Sequence, residues 1–445
     1  MPMPPGPFRQ IAMSNGGTAP FYMLTFDEDG ICTAPSTLTT MLNDAGHAGY
    51  SHIFIFSHGW NNDFETALGR YLDFIKSFQL VMERGGPLSK PNFKPLLVGI
   101  NWPSIDLLFP WERPPQIQSA NPQQLDAQDY VASNEEAEVQ LVARLLPADQ
   151  RAMFYKISGS RSPMTEMQAD ALAGLLLPLY TAEADSMEPA ETPSEKSDLI
   201  HFWRTVVGPA KEADALASGA AAPLGLLDLL PDPRDAIRVF SVWKMKDRAG
   251  KVGASGVRDM LRVLLSATQA KCHLIGHSFG CKVVLSAAGY GEPLPRPVTS
   301  ALLLQPAING FCFSKNADGN GLAGGYRMVL ERIQQPILST FSSHDMPLTK
   351  FFHLALWRKS DLGEIKIARA GEPPSRYAAL GGFGPQGCSP AEAHVIDIMK
   401  SGQAYKLSGP DAPRIFGLRS DSAIDGHGGV VNPATAWALY CQVTA

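Results

Sequence analysis

The chain is predicted to be an α/β protein with a mostly parallel central β-sheet flanked by helices. Two observations favour this class. Short runs of apolar, β-branched and aromatic residues recur along the chain, and segments of helical periodicity separate them. The runs are apolar throughout and do not alternate with polar residues, which is typical of strands buried on both faces of a parallel sheet.

The first elements precede residue 103. Residues 21–26 predict a strand, because aromatic and β-branched side chains end there in an Asp-Glu-Asp-Gly turn. Residues 52–56 predict a buried strand, and residues 64–82 carry the apolar spacing of a helix. Residues 95–102 predict a further buried strand, which ends before a proline.

Residues 104–235 depart from this pattern and are predicted to form a large helical insertion over the sheet. Three segments of helical periodicity each end at a proline, and the segment 181–198 is rich in Glu, Asp, Ser and Pro, which predicts a flexible, exposed stretch. The apolar stripes of the helices either pack on the core or contact a substrate. The stripe residues are Val139, Val142, Ala143 and Leu146, then Met164, Met167, Leu172, Leu175 and Leu176, then Leu199, Phe202, Trp203 and Val206.

The parallel pattern resumes in residues 236–445. Residues 239–243 predict a strand or the approach to one, and residues 253–265 predict a helix. An apolar run at 272–275 predicts the next strand. The remaining predicted elements are strands at 298–304, 336–341 and 414–418 and a closing helix at 432–442.

Composition limits the partners and the compartment. The net charge is -5 and no dense Lys/Arg stripe is present, so no nucleic-acid partner is expected. The first residues lack the basic and apolar regions of a secretory signal, and no apolar stretch reaches the roughly 18 residues of a transmembrane helix. Six scattered cysteines without a Cys-x-x-Cys pair predict free thiols in a reducing compartment. We therefore expect a cytoplasmic protein, with export lacking a conventional signal left open.

The most informative motif is Gly276-His277-Ser278-Phe279-Gly280, between the apolar run 272–275 and a segment that can continue as a helix. A strand, a sharp turn with a serine and a helix form a nucleophile elbow, which exposes the serine hydroxyl on a strained backbone. Gly276 and Gly280 are expected where strand and helix approach too closely for a Cβ. Cys281 beside this motif is either a small buried side chain or a reactive thiol.

A serine nucleophile requires a base, and the base requires a group that orients it. Asp345 follows a predicted strand after Ser278, and His427 lies in a glycine-rich loop before the closing helix, which is the chain order Ser…Asp…His. We therefore predict Ser278, Asp345 and His427 as the catalytic residues.

Alternatives remain for two of these residues. Asp345 can be a helix cap before Pro347, and His427 can be a solvated loop histidine. Other candidates for the acid are Asp361, Asp397 and Asp425.

Residues 57–62, Ser-His-Gly-Trp-Asn-Asn, directly follow a predicted strand and are expected to supply an oxyanion hole. Acyl transfer builds negative charge on a carbonyl oxygen, and preorganised backbone N–H groups stabilise that charge. The N–H groups of Phe279 and Trp60 are the predicted donors. The other residues are expected to support the site without reacting: Gly59 by close approach, His58 as a hydrogen-bonding scaffold and His277 by filling space.

With these motifs, the chain resembles the α/β-hydrolase superfamily of the lipase and esterase type. The resemblance covers roughly residues 20–103 and 236–445, so 1–103 and 236–445 are expected to be two parts of one core. It leaves 104–235 unmatched, and in this family such insertions act as caps or lids over the acyl pocket. The single Gly-Trp after His58 departs from the Gly-rich run that some members carry.

The resemblance implies a serine hydrolase that needs no metal or other cofactor and cleaves a carboxylic ester in a small-molecule or lipid-like substrate. Thioesters and amides use the same residues and stay open. A metallohydrolase is disfavoured, because no His-x-x-x-His pair or Cys/His cluster has the spacing of metal ligands. A non-catalytic binding protein is a third class, although such proteins usually lack one member of the triad.

Overall fold

A computed structural model describes residues 5–85, 93–104, 139–140, 142–181, 195–201, 203–204, 230–317, 319–352 and 378–445. Its centre is a sheet of nine strands. These are β1 (Arg9–Ala12), β2 (Thr18–Thr25), β3 (His52–Ser57), β4 (Pro95–Asn101), β5 (Lys271–His277), β6 (Ser300–Leu304), β7 (Ile337–Phe341), β8 (Ala393–Asp397) and β9 (Ile415–Arg419). The strand order is β1-β2-β4-β3-β5-β6-β7-β9-β8. Every neighbouring pair is parallel except β1 with β2, so the predicted mostly parallel sheet is confirmed.

Helices flank the sheet, as predicted. The α-helices described from end to end are α1 (Pro35–His47), α2 (Phe64–Gly85), α3 (Arg151–Ser158), α4 (Glu166–Thr181), α5 (Pro233–Val252), α6 (Arg258–Ala267), α7 (Phe279–Gly289), α8 (Val329–Arg332), α9 (Leu380–Phe383) and α10 (Pro433–Thr444). Two π-helical turns lie at Gly253–Val257 and Pro347–Phe351. None of the helices in the described part of the chain is long and apolar enough to cross a membrane.

Each buried strand serves two cores because successive side chains point to opposite faces of a sheet. In β2, Tyr22 and Leu24 belong to one hydrophobic cluster, whereas Phe21 and Met23 belong to another. Helices α2 and α10 pack together on the second face, and α1, α6 and α7 pack on the first. The continuous apolar runs of the sequence therefore fill both layers.

The prediction of a strand at 239–243 is wrong, because this segment lies inside α5. The helix begins at Asp232, whose side chain accepts hydrogen bonds from the backbone N–H groups of Arg234 and Asp235, with Pro233 at the first helical position. Its helical path continues through Gly253–Val257 into α6, and it crosses the predicted boundary at residue 235. A cap and an N-terminal proline therefore outweigh a short β-branched run.

The two edge strands β1 and β8 were not predicted. Both are short and largely exposed, so they lack the buried apolar run that marks the other strands. They pair by backbone hydrogen bonds with β2 and β9, respectively. Pairing through backbone groups at the edge of a sheet does not require apolar side chains, so the sequence shows no clear pattern for these strands.

The described part of residues 104–235 consists mainly of helices joined by turns, and it packs on the core. Its buried apolar side chains belong to the same cluster as one face of the sheet, and Met164, Leu172 and Trp203 are examples. Met167 was assigned to the same stripe, but it is 82% exposed, so that assignment is wrong. Phe202, Val206 and residues 182–194 of the acidic segment lie outside the described residues.

All six cysteines are free thiols. Cys281 lies in α7, and burial raises the pKa of its thiol well above the ordinary value. A thiol that stays protonated is a poor nucleophile. The structure therefore favours the interpretation of Cys281 as a small buried side chain.

Candidate active site

The candidate site lies at the carboxyl ends of the central strands. The chain leaves β3 toward β4 on one side and leaves β5 toward β6 on the other, so the order of the sheet reverses between β3 and β5. Ligand crevices of open α/β sheets form at this kind of position. A Cβ added to Gly59, in the loop after β3, would lie 2.7 Å from the Cβ of Ser278, after β5. The two predicted motifs are therefore in contact.

Ser278 has the unusual backbone geometry of a sharp turn, with φ 55° and ψ -125°. Its N–H donates to Leu304 O at 3.0 Å, and its carbonyl accepts from Cys281 N at 3.1 Å. A Cβ on Gly276 would lie 2.6 Å from Cys281 Cα, and a Cβ on Gly280 would lie 2.2 Å from Ser57 O. Both glycines therefore occupy positions where strand and helix approach too closely for a side chain.

Replacing Gly280 by alanine is expected to lower the free energy of unfolding by about 1–3 kcal/mol, because the backbone at the end of β3 must move to admit the new Cβ. Gly69→Ala in α2 is the matched control. No atom lies within 4 Å of a Cβ at Gly69, so we expect a gain of about 0.5–1 kcal/mol from the lower entropy of the unfolded chain. Urea unfolding of both variants provides the measurement. An unchanged free energy of unfolding in Gly280→Ala would contradict the close approach of Gly280 to the end of β3.

The three predicted catalytic side chains lie together. His427 Nε2 is 2.8 Å from Ser278 Oγ, and His427 Nδ1 is 2.8 Å from Asp345 Oδ2. A carboxylate only accepts hydrogen bonds, so Nδ1 carries the proton and Nε2 accepts from the serine hydroxyl. Asp345 is fully buried and Ser278 is 3% exposed. The chain thus forms a continuous path of hydrogen bonds from a buried carboxylate to a serine hydroxyl.

Asp345 also caps a turn. Its Oδ1 accepts from Leu348 N at 3.1 Å, while its Oδ2 faces His427. The two interpretations of Asp345 in the sequence, as a cap and as the partner of a histidine, therefore hold at the same time. Asp397 is exposed and pairs with Arg419, and Asp425 is exposed. Asp361 lies outside the described residues.

His277 does more than fill space beside the turn. Its Nε2–H donates to the backbone carbonyl of His427 at 2.9 Å, and the two imidazole rings lie 5.0 Å apart. Burial holds the pKa of His277 well below its ordinary value, so the ring is neutral and its single N–H is the donor. His277 therefore holds the loop that carries His427, which the sequence did not indicate.

His58 has the hydrogen bonds of a scaffold. Its Nδ1–H donates to Gly59 O at 2.8 Å, and its Nε2 accepts from Trp102 N at 3.2 Å. Its backbone N–H donates to the Tyr71 hydroxyl at 2.7 Å. Burial lowers the pKa of His58 to about 4, which keeps the ring neutral near pH 7. Both ring nitrogens are engaged, so the ring holds the loop after β3 against the residues after β4.

Asn62 and Ser104 also hold this loop. Asn62 belongs to the predicted motif 57–62 but had no predicted role of its own, and Ser104 was not part of any predicted motif. Asn62 Nδ2 donates to Gly59 O at 3.0 Å and to Trp60 O at 2.7 Å. Ser104 Oγ accepts from Asn62 N at 3.1 Å, and Ser104 O accepts from Asn61 N at 2.8 Å. Asn61 has a φ of 58°, which asparagine tolerates better than most residues. In the sequence, only the two adjacent asparagines after Gly59-Trp60 could have indicated that side chains hold this loop.

The two predicted oxyanion donors lie beside Ser278. Phe279 is the first residue of α7, and the first N–H groups of a helix have no acceptor within the helix. Trp60 follows Gly59 in the loop that contacts Ser278, and its ring lies 6.2 Å from that of Phe279. Both residues are buried.

One further side chain contacts the carboxylate of Asp345. Gln305, at the end of β6, donates from Nε2 to Asp345 Oδ2 at 2.9 Å. This residue directly follows the predicted strand 298–304 and had no predicted role. Its position after a neighbouring parallel strand was the available signal, because such ends meet at one edge of a sheet.

The chain was compared with protein-family models, with curated proteins and with solved structures, and no match was found in any of the three. A function for this chain must therefore be inferred from the geometry of its own residues.

Proposed function

We propose that the protein is a serine hydrolase that cleaves carboxylic esters, with Ser278 as nucleophile, His427 as general base and Asp345 as the group that orients His427. The observation that carries this proposal is the pair of 2.8 Å contacts that joins the three side chains. The positive φ of Ser278 supports it, because non-glycine residues adopt such a conformation rarely and often at functional sites.

The reaction begins when Ser278 Oγ attacks the ester carbonyl and transfers its proton to His427 Nε2. The resulting imidazolium is stabilised by the Asp345 carboxylate on its other side. The tetrahedral intermediate collapses when His427 returns the proton to the leaving alkoxide, and an acyl-enzyme forms on Ser278. Water then attacks the acyl carbonyl and gives its proton to His427, and His427 returns this proton to Ser278 Oγ as the acid leaves, which restores the serine hydroxyl.

The oxyanion of the intermediate is assigned to the N–H groups of Phe279 and Trp60. Hydrogen bonds hold the Trp60 loop before substrate arrives: His58 and Asn62 donate to its carbonyl groups, and Ser104 O accepts from its backbone. Preorganised donors need no rearrangement during the reaction, and each lowers the barrier by about 3 kcal/mol.

Residues 104–235 are proposed to act as a cap that selects an acyl or lipid-like substrate. The insertion starts at Ser104, whose Oγ and carbonyl bind the loop beside Ser278. It therefore leaves the core at the edge of the site. The described helices of the insertion bury apolar side chains in the hydrophobic cluster on one face of the sheet, and we propose that an apolar cap of this kind favours an acyl substrate over a sugar or a nucleotide.

Labelling with a fluorophosphonate, followed by peptide mapping, tests the proposal. We expect the probe to modify Ser278, because an activated serine attacks the electrophilic phosphorus. The rate of ester hydrolysis is measured with and without prior treatment with a chelator. The chelator should leave this rate unchanged, whereas a metallohydrolase would lose its activity. Detergent is included in a parallel sample to open a closed cap. Failure to label in both samples would identify a non-catalytic protein and overturn the proposal.

A further inference from the structure

Gln305 is buried, and its side chain is fully hydrogen-bonded around the Asp345 carboxylate. Its Nε2 donates to Asp345 Oδ2 at 2.9 Å and to Gly381 O at 3.2 Å. Its Oε1 accepts from Thr340 Oγ1 at 3.0 Å. Asp345 Oδ2 therefore accepts hydrogen bonds from both Gln305 Nε2 and His427 Nδ1.

The orientation of the Gln305 amide follows from its neighbours. The backbone N–H of Gln305 donates to Thr340 Oγ1 at 2.9 Å, so the Thr340 hydroxyl directs its own proton toward Gln305 Oε1. A flipped amide would place Oε1 against two acceptors, the Asp345 carboxylate and Gly381 O. Only the orientation with Nε2 toward Asp345 satisfies every group.

The backbone holds Gln305 in this place despite strain. Its φ is 45°, which is uncommon for a residue other than glycine. A Cβ added to Gly381 would lie 2.5 Å from the carbonyl carbon of Gln305, so the segment around α9 packs directly on this turn. Strained backbone of this kind persists where the surroundings over-determine it, and it is concentrated at functional sites.

We propose that Gln305 is a positioning residue that holds the Asp345 carboxylate toward His427 and offsets part of its negative charge. This inference rests on the proposed function, because it concerns the same triad. Three donors surround the carboxylate: Leu348 N on Oδ1, and Gln305 Nε2 with His427 Nδ1 on Oδ2. Together they restrict rotation of the carboxylate.

The amide also influences the charge state of His427. A hydrogen bond to the charged form of a carboxylate spreads its charge, so the carboxylate attracts an imidazolium less strongly. Gln305 therefore lowers the pH at which His427 gives up its proton. At neutral pH this keeps more of His427 in the form that can accept a proton from Ser278.

The experiment follows the His427 ring by NMR in protein labelled with ¹⁵N-histidine. The chain has ten histidines, and the spectrum of His427→Gln identifies the signal of interest. In Gln305→Met the half-titration pH of His427 should rise by about 0.5–1 unit. The rate of fluorophosphonate labelling at Ser278 should fall by about tenfold, as expected for one lost hydrogen bond to a charged group.

Two matched controls separate this effect from a loss of packing. Gln335→Met removes another buried glutamine, whose Nε2 donates to Gln442 O at 2.9 Å before β7, and it should not move the titration. Thr340→Val removes the hydroxyl that orients the Gln305 amide and should raise the half-titration pH, whereas Thr340→Ser keeps the hydroxyl and should retain the wild-type value. If Gln305→Met does not fold, the comparison of Thr340→Val with Thr340→Ser tests whether the Gln305 amide changes the half-titration pH of His427.

An unchanged half-titration pH of His427 in Gln305→Met and Thr340→Val would overturn the inference. Equal shifts in Gln305→Met and Gln335→Met would also overturn it, because they would indicate a general structural effect. The titration needs no hydrolysis. If wild-type Ser278 does not react with the probe, the proposed function fails, and the titration still shows whether Gln305 acts on His427 through Asp345.

Discussion

Replacing Ser278 by alanine is expected to lower kcat/KM for the hydrolysis of a short-chain p-nitrophenyl ester by at least about 10⁴-fold. The variant lacks the proposed nucleophile and therefore the proposed acyl-enzyme route. The proposed oxyanion donors Phe279 and Trp60 remain, so the residual rate should still exceed the rate in water. The double variant with His427→Ala should be no slower than the single variant, because the two residues act as one unit. Initial rates under substrate-limited conditions provide the measurement.

Ser286→Ala is the matched control for this substitution. Ser286 is also a buried serine of α7, but its Oγ bonds to the Tyr326 hydroxyl at 2.9 Å and lies away from His427. This variant should lose some stability and keep its activity. Equal rates in wild type and Ser278→Ala would show that any hydrolysis arises elsewhere.

Asp345→Asn is expected to lower kcat by about 10³–10⁴-fold. An amide can present an N–H to His427 Nδ1, which favours the wrong imidazole tautomer and removes the charge that stabilises the imidazolium. Asparagine caps helical turns as well as aspartate does, so the bond from Leu348 N should persist. The loss should therefore appear in kcat with little change in the urea unfolding midpoint.

Asp397→Asn is the control for the same chemical change. Asp397 is 80% exposed in β8, and its carboxylate pairs with Arg419 Nη1 at 3.1 Å. It should behave as wild type in both kcat and stability, because exposed ion pairs contribute little. A large effect at Asp397 with none at Asp345 would reject our assignment of the acid.

Much of the sheet could be predicted because burial leaves a local signal. Strands that are covered on both faces need apolar side chains throughout, and β3, β4 and β5 each show such a run. The turn at Ser278 could be predicted for a similar reason, since only glycine fits at Gly276 and Gly280. The apolar runs and the contact of Gly276 with Cys281 are constraints within a few residues along the chain, whereas Gly280 meets Ser57 of the distant strand β3 and was recognised only through its spacing from Ser278.

Other features could not be predicted, because their constraints come from distant parts of the chain. Residues 239–243 resemble a strand locally, but they lie inside α5, which packs against α7 from a later part of the chain. The edge strands β1 and β8 depend on backbone pairing, which any side chains allow.

The amino-acid sequence by itself determined the parallel sheet, the sharp turn at Ser278 and the chain order of Ser278, Asp345 and His427. Only the tertiary structure decided that these three meet, that Asp345 is both cap and partner, that Gln305 contacts the Asp345 carboxylate and that His277 contacts the backbone carbonyl of His427. The physical reason is that hydrogen bonds across 40 to 150 residues depend on where strands end in space. Residue type and local pattern do not contain that information.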